Sequence, residues 1–210
     1  MYYSEGSHMH VALPETGLPA KILLNSRHKL SDEEFWDFCA ENPDLNIERT
    51  EQGEIVIVAP AGLESSYRSG QVYAQLDQWA RTDGRGKAFE SSAMFLLPRG
   101  AGLSPDAAWV SNEQLSLLTK KQLKKFVPLA PEFVVEVMSP SDRLRRLKRK
   151  MEEWMANGVQ LAWLIDGDTE SIFIYRPETP VEERQGVSHL DGKGPVKGFH
   201  LDLLDIWKGL

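Results

Sequence analysis

A single cysteine, Cys39, stands among the 210 residues, which excludes an intrachain disulfide and any thiolate-built zinc site. Phe35-Trp36-Asp37-Phe38-Cys39 puts it on an apolar helix face, the setting of a small buried hydrophobe. No apolar run reaches membrane-spanning length, so no span is expected. No basic start leads into an apolar segment, so a secretory signal is not expected either. Together these absences favour the cytoplasm. Gly84-x-Gly86 lacks a third glycine and follows a helix, and no phosphate-cradling loop is present. The histidines are scattered and show no metal-ligand spacing. An excess of positive charge is also missing: 24 Lys and Arg face 31 Asp and Glu, a net charge of −7. A nucleic-acid partner would therefore need a local basic patch. Acids gathered to hold a metal would account for part of the deficit.

What is present is the composition of a globular protein, 41% hydrophobic and 26% charged, long enough for one domain with a real core. Residues 1–20 read as a flexible arm, in which Gly6-Ser7-His8-Met9 resembles a vector scar, so His8 and His10 carry no functional weight. Residues 21–210 read as a single domain. Ser31-Asp32-Glu33-Glu34 opens a short helix as a capping box. Residues 45–48 and 54–58 suit a hairpin about Gly53. Helical spacing runs from Leu63 to Asp83 and ends at Gly84. Residues 87–97 pair naturally with a strand around 107–110. Short helices follow over 113–118 and 120–126. Phe133 to Met138, apolar except for Glu136, suits a strand covered on both faces. A helix over 142–157, a strand pair at 161–166 and 171–175, a loop over 177–198 and an edge strand near 198–201 complete a mixed α/β fold with a central sheet.

Asp106 and Glu136 are the residues that point to chemistry. Asp106 follows Pro105 and heads a strand; Glu136 stands among Phe133, Val134, Val135, Val137 and Met138. A carboxylate is costly to bury alone, so two that converge call for a cation, a shared proton or an ion pair. On the next helix Leu144, Leu147, Met151, Trp154 and Met155 form an apolar stripe, with Lys148 and Lys150 on opposite flanks. Either could reach the acids, and spacing does not choose between them. Arg143 lies on the side of Lys150. Arg143, Arg145, Arg146, Lys148, Arg149 and Lys150 make the strongest basic patch in the sequence. Glu64 opens the long helix, where the helix dipole favours a carboxylate, and Arg68 nearby is a weaker substrate-binding candidate. Trp79, Trp154 and Trp163 occupy apolar positions and read as core.

Ser104-Pro105-Asp106, Ala130-Pro131-Glu132-Phe133-Val134-Val135-Glu136-Val137-Met138-Ser139-Pro140-Ser141-Asp142, Lys150-Met151-x-x-Trp154 and Gly158-Val159-x-x-Ala162-Trp163-Leu164-Ile165-Asp166 together resemble a bacterial family of restriction-endonuclease type within the PD-(D/E)XK nuclease superfamily. The resemblance covers roughly residues 30–205. It implies a restriction-endonuclease-like core, a mixed central sheet flanked by helices, and a magnesium-dependent (or manganese-dependent) endonuclease acting on nucleic acid, DNA above all. Asp106 and Glu136 match its metal-binding acids, Glu64 an acid of the first core helix, and the Val137 carbonyl a further metal ligand. Met138 departs from the superfamily, standing where the E-x-K lysine is expected; Lys150 fits a lysine moved to the following helix. Homodimers are common in the superfamily. Met138 and the net acidity also fit an inactive nuclease-fold protein that binds DNA or a partner. A third reading is an unrelated α/β enzyme using Asp106 and Glu136 as acid and base on a small substrate.

Overall fold

The computed structural model describes residues 21–24, 29–140 and 142–210, the first four by their backbone alone. The arm expected over 1–20, its vector-like segment with His8 and His10, and Ser141 of the 139–142 turn lie outside the described residues. β1 (Lys21–Leu24) comes first, followed by α1 (Asp32–Glu41), closed by the expected capping box: the Ser31 hydroxyl accepts from the Glu34 N–H at 3.2 Å and Glu34 accepts from the Ser31 N–H at 2.8 Å. β2 (Asn46–Arg49) and β3 (Ile55–Val58) pair antiparallel about Gly53, whose φ of +88° suits glycine. α2 (Leu63–Asp83) stops at Gly84, in the left-handed region. β4 (Gly86–Glu90), β5 (Phe95–Leu96), β6 (Gly102–Leu103), β7 (Ala107–Ser111) and α3 (Asn112–Ser116) lead to β8 (Phe133–Val137). α4 (Leu144–Ala156), β9 (Leu161–Asp166), β10 (Ser171–Tyr175), β11 (Glu182–Gln185), β12 (His189–Asp191), β13 (His200–Asp202) and α5 (Leu204–Lys208) complete the order.

Two expectations fail and a third holds only in part: of residues 87–97, β4 pairs with β7, while Phe95–Leu96 pairs with β6 in a different sheet. Residues 120–126 form only a single 3-10 turn, Gln122–Lys124. Thr119 and Gln122 cap it reciprocally, but the segment is lysine-rich and lacks a buried stripe, and a capped nucleus without packing does not propagate. The span 177–198 is not all loop: β11 and β12 lie in it. β11 is Glu-Glu-Arg-Gln, a charged edge strand whose ladder bonds to β10, not an apolar face, hold it.

Six strands form one sheet in the order β11-β10-β9-β8-β7-β4, antiparallel throughout except for β8 and β9, which run parallel because α4 carries the chain between them. A second sheet, β1-β3-β2-β6-β5, packs against α1 through Phe35, Ile47, Ile55, Met94 and Leu96. Along β8 alternate residues go to opposite sides. Phe133, Val135 and Val137 join Val72, Leu76 and Ala80 of α2, with Trp163 and Phe199 stacked at 5.9 Å. Val134 joins Leu147, Met151 and Trp154 of α4. Each large apolar side chain buried contributes roughly 1.5–3 kcal/mol. Several together offset the several kcal/mol per ion that a buried ion pair costs, so the α4 side can carry charge. Among the described residues no helix is long and apolar enough to cross a membrane.

Candidate active site

The register of β7 on β8 places the two acids. Ala107 faces Val135 and Ala108 faces Val134 across the antiparallel ladder. One step further Asp106 falls opposite Glu136, and opposed side chains share a face with Cβ atoms about 4.5–5.5 Å apart. The Asp106 Oδ2 also accepts from the Val137 N–H at 2.6 Å, which fixes its carboxylate at the strand end. Both acids line one cleft of about 410 Å³ between the two sheets.

α4 crosses that face and supplies the cation. Lys150 Nζ lies 2.9 Å from Glu136 Oε1 and donates to its Oε2 at 3.1 Å. One turn on, the Trp154 indole N–H donates to Glu136 Oε1 at 2.8 Å. Lys150 also donates to the Ser104 carbonyl at 3.0 Å and to Glu48 Oε1 at 2.7 Å. Glu48 is the site residue that sequence reasoning missed. In β2 it alternates with Ile47 and Arg49, which face α1, and so turns to the cleft. Its sequence signal was that alternation, but the partner of that face is set by how the sheets pack. The side chains of Lys150, Glu48 and Glu136 are 13%, 11% and 5% exposed, so these charges meet in a largely dry place.

Burial pushes the Glu136 carboxyl up to about 7; Asp106 and Glu48 push the same way, while Lys150 pulls it down. Burial likewise raises Asp106, against the Val137 N–H and Lys150. Burial alone would lower Lys150, but Glu136 and Glu48 outweigh it and hold the ammonium above its ordinary value. Glu136 and Glu48 hydrogen-bond the one ammonium and Asp106 lies within its field, so three acids face a single cation. The donor set is all oxygen, which suits a hard divalent cation such as Mg²⁺. Asp106, Glu136 and Glu48 could hold it, with the Val137 backbone at the same cleft.

The remaining candidates are placed differently. Lys148 lies over the Phe173 ring at 3.9 Å, away from the acids, so the geometry selects Lys150 between the two. Glu64 is half-exposed and pairs with Arg68 at 2.9 Å; the start of α2 meets the cleft through Ser65, Ser66 and Ser69 instead. Arg68 is buried, and both its terminal nitrogens are taken by Glu64 and, at 2.7 Å, by Asp168, so it does not face the cleft as a substrate contact. Arg143 is exposed at the start of α4 and, with Arg145, Arg146 and Arg149, lines a groove of about 710 Å³ that meets the cleft at Glu48 and Lys150. Met138 packs into the apolar layer beneath α4. Trp154 and Trp163 are core, as expected, but Trp154 also holds Glu136. Cys39 is partly buried, and burial raises its thiol to about 12.

A mixed sheet with helices on both faces and two acids opposed at a strand end beside a lysine is the architecture of a restriction-endonuclease-like protein. Residues 32–203 match the family model Uma2, described as "putative restriction endonuclease", and the chain belongs to that family. Its fold is similar to the crystal structure of a "putative nuclease belonging to DUF820" from Anabaena variabilis, with a TM-score of 0.70 at 17% identity, covering 85% of this chain and 98% of that one. No curated protein matches.

Proposed function

We propose that the chain is a metal-dependent endonuclease that hydrolyses phosphodiester bonds of DNA. The observation that carries this reading is the meeting of Asp106, Glu136, Glu48 and Lys150 in one open cleft, with the ammonium bonded to Glu136 and Glu48, beside a groove lined in part by α4 arginines. Asp106 and Glu136, with the Val137 carbonyl, would hold Mg²⁺ or Mn²⁺, and Glu48 adds a third acid. The bound metal would make a water more acidic and offset charge on the phosphoryl oxygens. Lys150 is already oriented by Glu136, Glu48 and the Ser104 carbonyl, so its charge costs no reorganisation when negative charge develops on the phosphate. Trp154 fixes the Glu136 rotamer. Arg143, Arg145, Arg146 and Arg149 line one side of a groove that also holds Glu51, Glu54 and Glu153, and would supply the local positive charge that an acidic protein needs to hold a polyanion.

Purified protein incubated with plasmid, single-stranded DNA and RNA in Mg²⁺ or Mn²⁺ tests the reading. Cleavage of DNA that stops with a chelator and in Glu136→Gln is expected. Cutting that persists unchanged in Glu136→Gln would remove this cleft from the reaction, and preference for RNA would overturn the substrate.

A further inference from the structure

The tripeptide His-Leu-Asp occurs twice, at 189–191 and 200–202, and the two copies pair with each other. In the antiparallel ribbon His189 faces Asp202, Leu190 faces Leu201 and Asp191 faces His200. Alternation sends both leucines into the α2-side core, 2% and 0% exposed, and both histidines and aspartates outward. The imidazoles of His189 and His200 stack with centroids 4.6 Å apart. His200 Nδ1 lies 2.9 Å from Asp191 Oδ1. One ligand atom from each of His189, Asp191 and His200 lies within 4.8 Å of the others. Asp202 is engaged elsewhere: its Oδ1 accepts from the Leu204 N–H at 2.9 Å, at the start of α5.

We propose that His189, Asp191 and His200 form a surface site for a divalent transition metal of the zinc class, separate from the acidic cleft. Metal–nitrogen and metal–oxygen bonds of about 2.0–2.2 Å bring ligand atoms to roughly 3–3.5 Å of one another, so binding turns the two exposed rings out of their stack until an in-plane lone pair of each meets the ion. Two imidazoles and one carboxylate favour Zn²⁺, Ni²⁺ or Cu²⁺ over Mg²⁺, whereas the all-oxygen cleft has the opposite preference. The ribbon's leucines pack on the α2 side of the main sheet, while Glu136 faces α4, so the two sites lie on opposite faces. A two-stranded ribbon is marginal on its own. A metal bridging His189 and Asp191 to His200 ties its strands together and stabilises the folded state by linkage. The repeated tripeptide was its only trace in the sequence, and the spacing of His189 and His200 is no metal-ligand spacing, because they come together only through the pairing of β12 with β13.

Zn²⁺ alone is the probe, added to a protein carrying Asp106→Asn and Glu136→Gln so that the cleft does not compete. The site therefore stands or falls independently of the hydrolytic reading. Zinc is expected to move the ring resonances of His189 and His200 in histidine-detected NMR, to raise Tm, and to bind at least tenfold more weakly in His189→Ala and in His200→Ala. Both positions are exposed, so folding should survive, and circular dichroism checks it. These variants keep His8, His10 and His28, so any difference belongs to the ribbon. Zinc affinity unchanged in both variants, or movement confined to the other histidine rings, would overturn the proposal. So would an equal response to Mg²⁺.

Discussion

Strand β8 gives Phe133, Val135 and Val137 to the α2 face of the sheet and Val134 and Glu136 to the α4 face. On the α2 side every inward residue of the strand is apolar and the layer is closed by aromatic packing, Phe133 against Trp163 at 4.8 Å and Trp163 against Phe199 at 5.9 Å. On the α4 side an apolar cluster surrounds Trp154, but Glu136 and Lys150 are let into its margin. The difference shows how a fold acquires a site: one face supplies stability with no polar obligations, and the other can then carry buried charge whose own contribution to stability is small or negative. Substitutions on the two faces should accordingly separate activity from stability.

The sharpest break is Glu136→Gln. Cleavage should fall on the order of 10²–10³-fold or more, with Tm held or raised, because the amide keeps the Trp154 bond while losing its charge; plasmid cleavage alongside calorimetry reads both. Trp163→Ala on the other face should do the reverse, costing about 3–5 kcal/mol in chemical denaturation while the folded fraction still cuts. Lys150→Met should abolish cleavage and also destabilise, by about 3 kcal/mol at pH 8, since it strands Glu136 and Glu48 without their cation. At pH 5 the loss should shrink, because Glu136 then takes a proton.

A smaller effect tests the α4 face by pH. Glu136 titrates near 7 in the folded protein against an ordinary 4.5, so the folded state binds its proton more tightly than the unfolded one. Its favourable contribution is complete below about 4.5 and is lost as pH rises through 7, on the order of 1–3 kcal/mol. The Tm of Glu136→Gln minus that of the wild type should therefore rise between pH 4.5 and 7 when no metal is added; a flat difference would contradict the raised value. The smallest effect belongs to Glu64→Gln, which leaves Arg68 paired to Asp168. A loss of at most about 1 kcal/mol with unchanged cleavage is expected. A drop in cleavage comparable to that of Glu136→Gln would place Glu64 in the catalytic set.

Much of this was legible in the residues. The Ser31-x-x-Glu34 cap, the hairpin about Gly53 and the α2 stop at Gly84 are local devices whose energetics are complete within a few residues. The lone acid in Phe133–Met138 was legible for a related reason: an apolar run covered on both sides leaves a carboxylate no route to water. Residues 120–126 were misjudged because a good cap was visible and the missing packing was not. β11 was missed because its edge pairing leaves no apolar period, and Glu48 because its strand was recognised while the occupant of its outer face was not.

The sequence by itself determined that Asp106 would stand at the head of a strand and Glu136 within one, that a basic helix would follow, and that the chain belongs with restriction-endonuclease-like proteins. Helix spacing left Lys148 and Lys150 open and the family resemblance pointed to Lys150; tertiary structure puts Lys150 against the acids, and it alone decided that Glu48 joins their charge cluster and that Glu64 and Arg68 satisfy each other outside it. The physical reason is range. Caps, turns and alternation are settled by neighbours along the chain, whereas the partner of a charge is settled by whichever surface packing brings within 3 Å, and Glu48 and Lys150 are 102 residues apart.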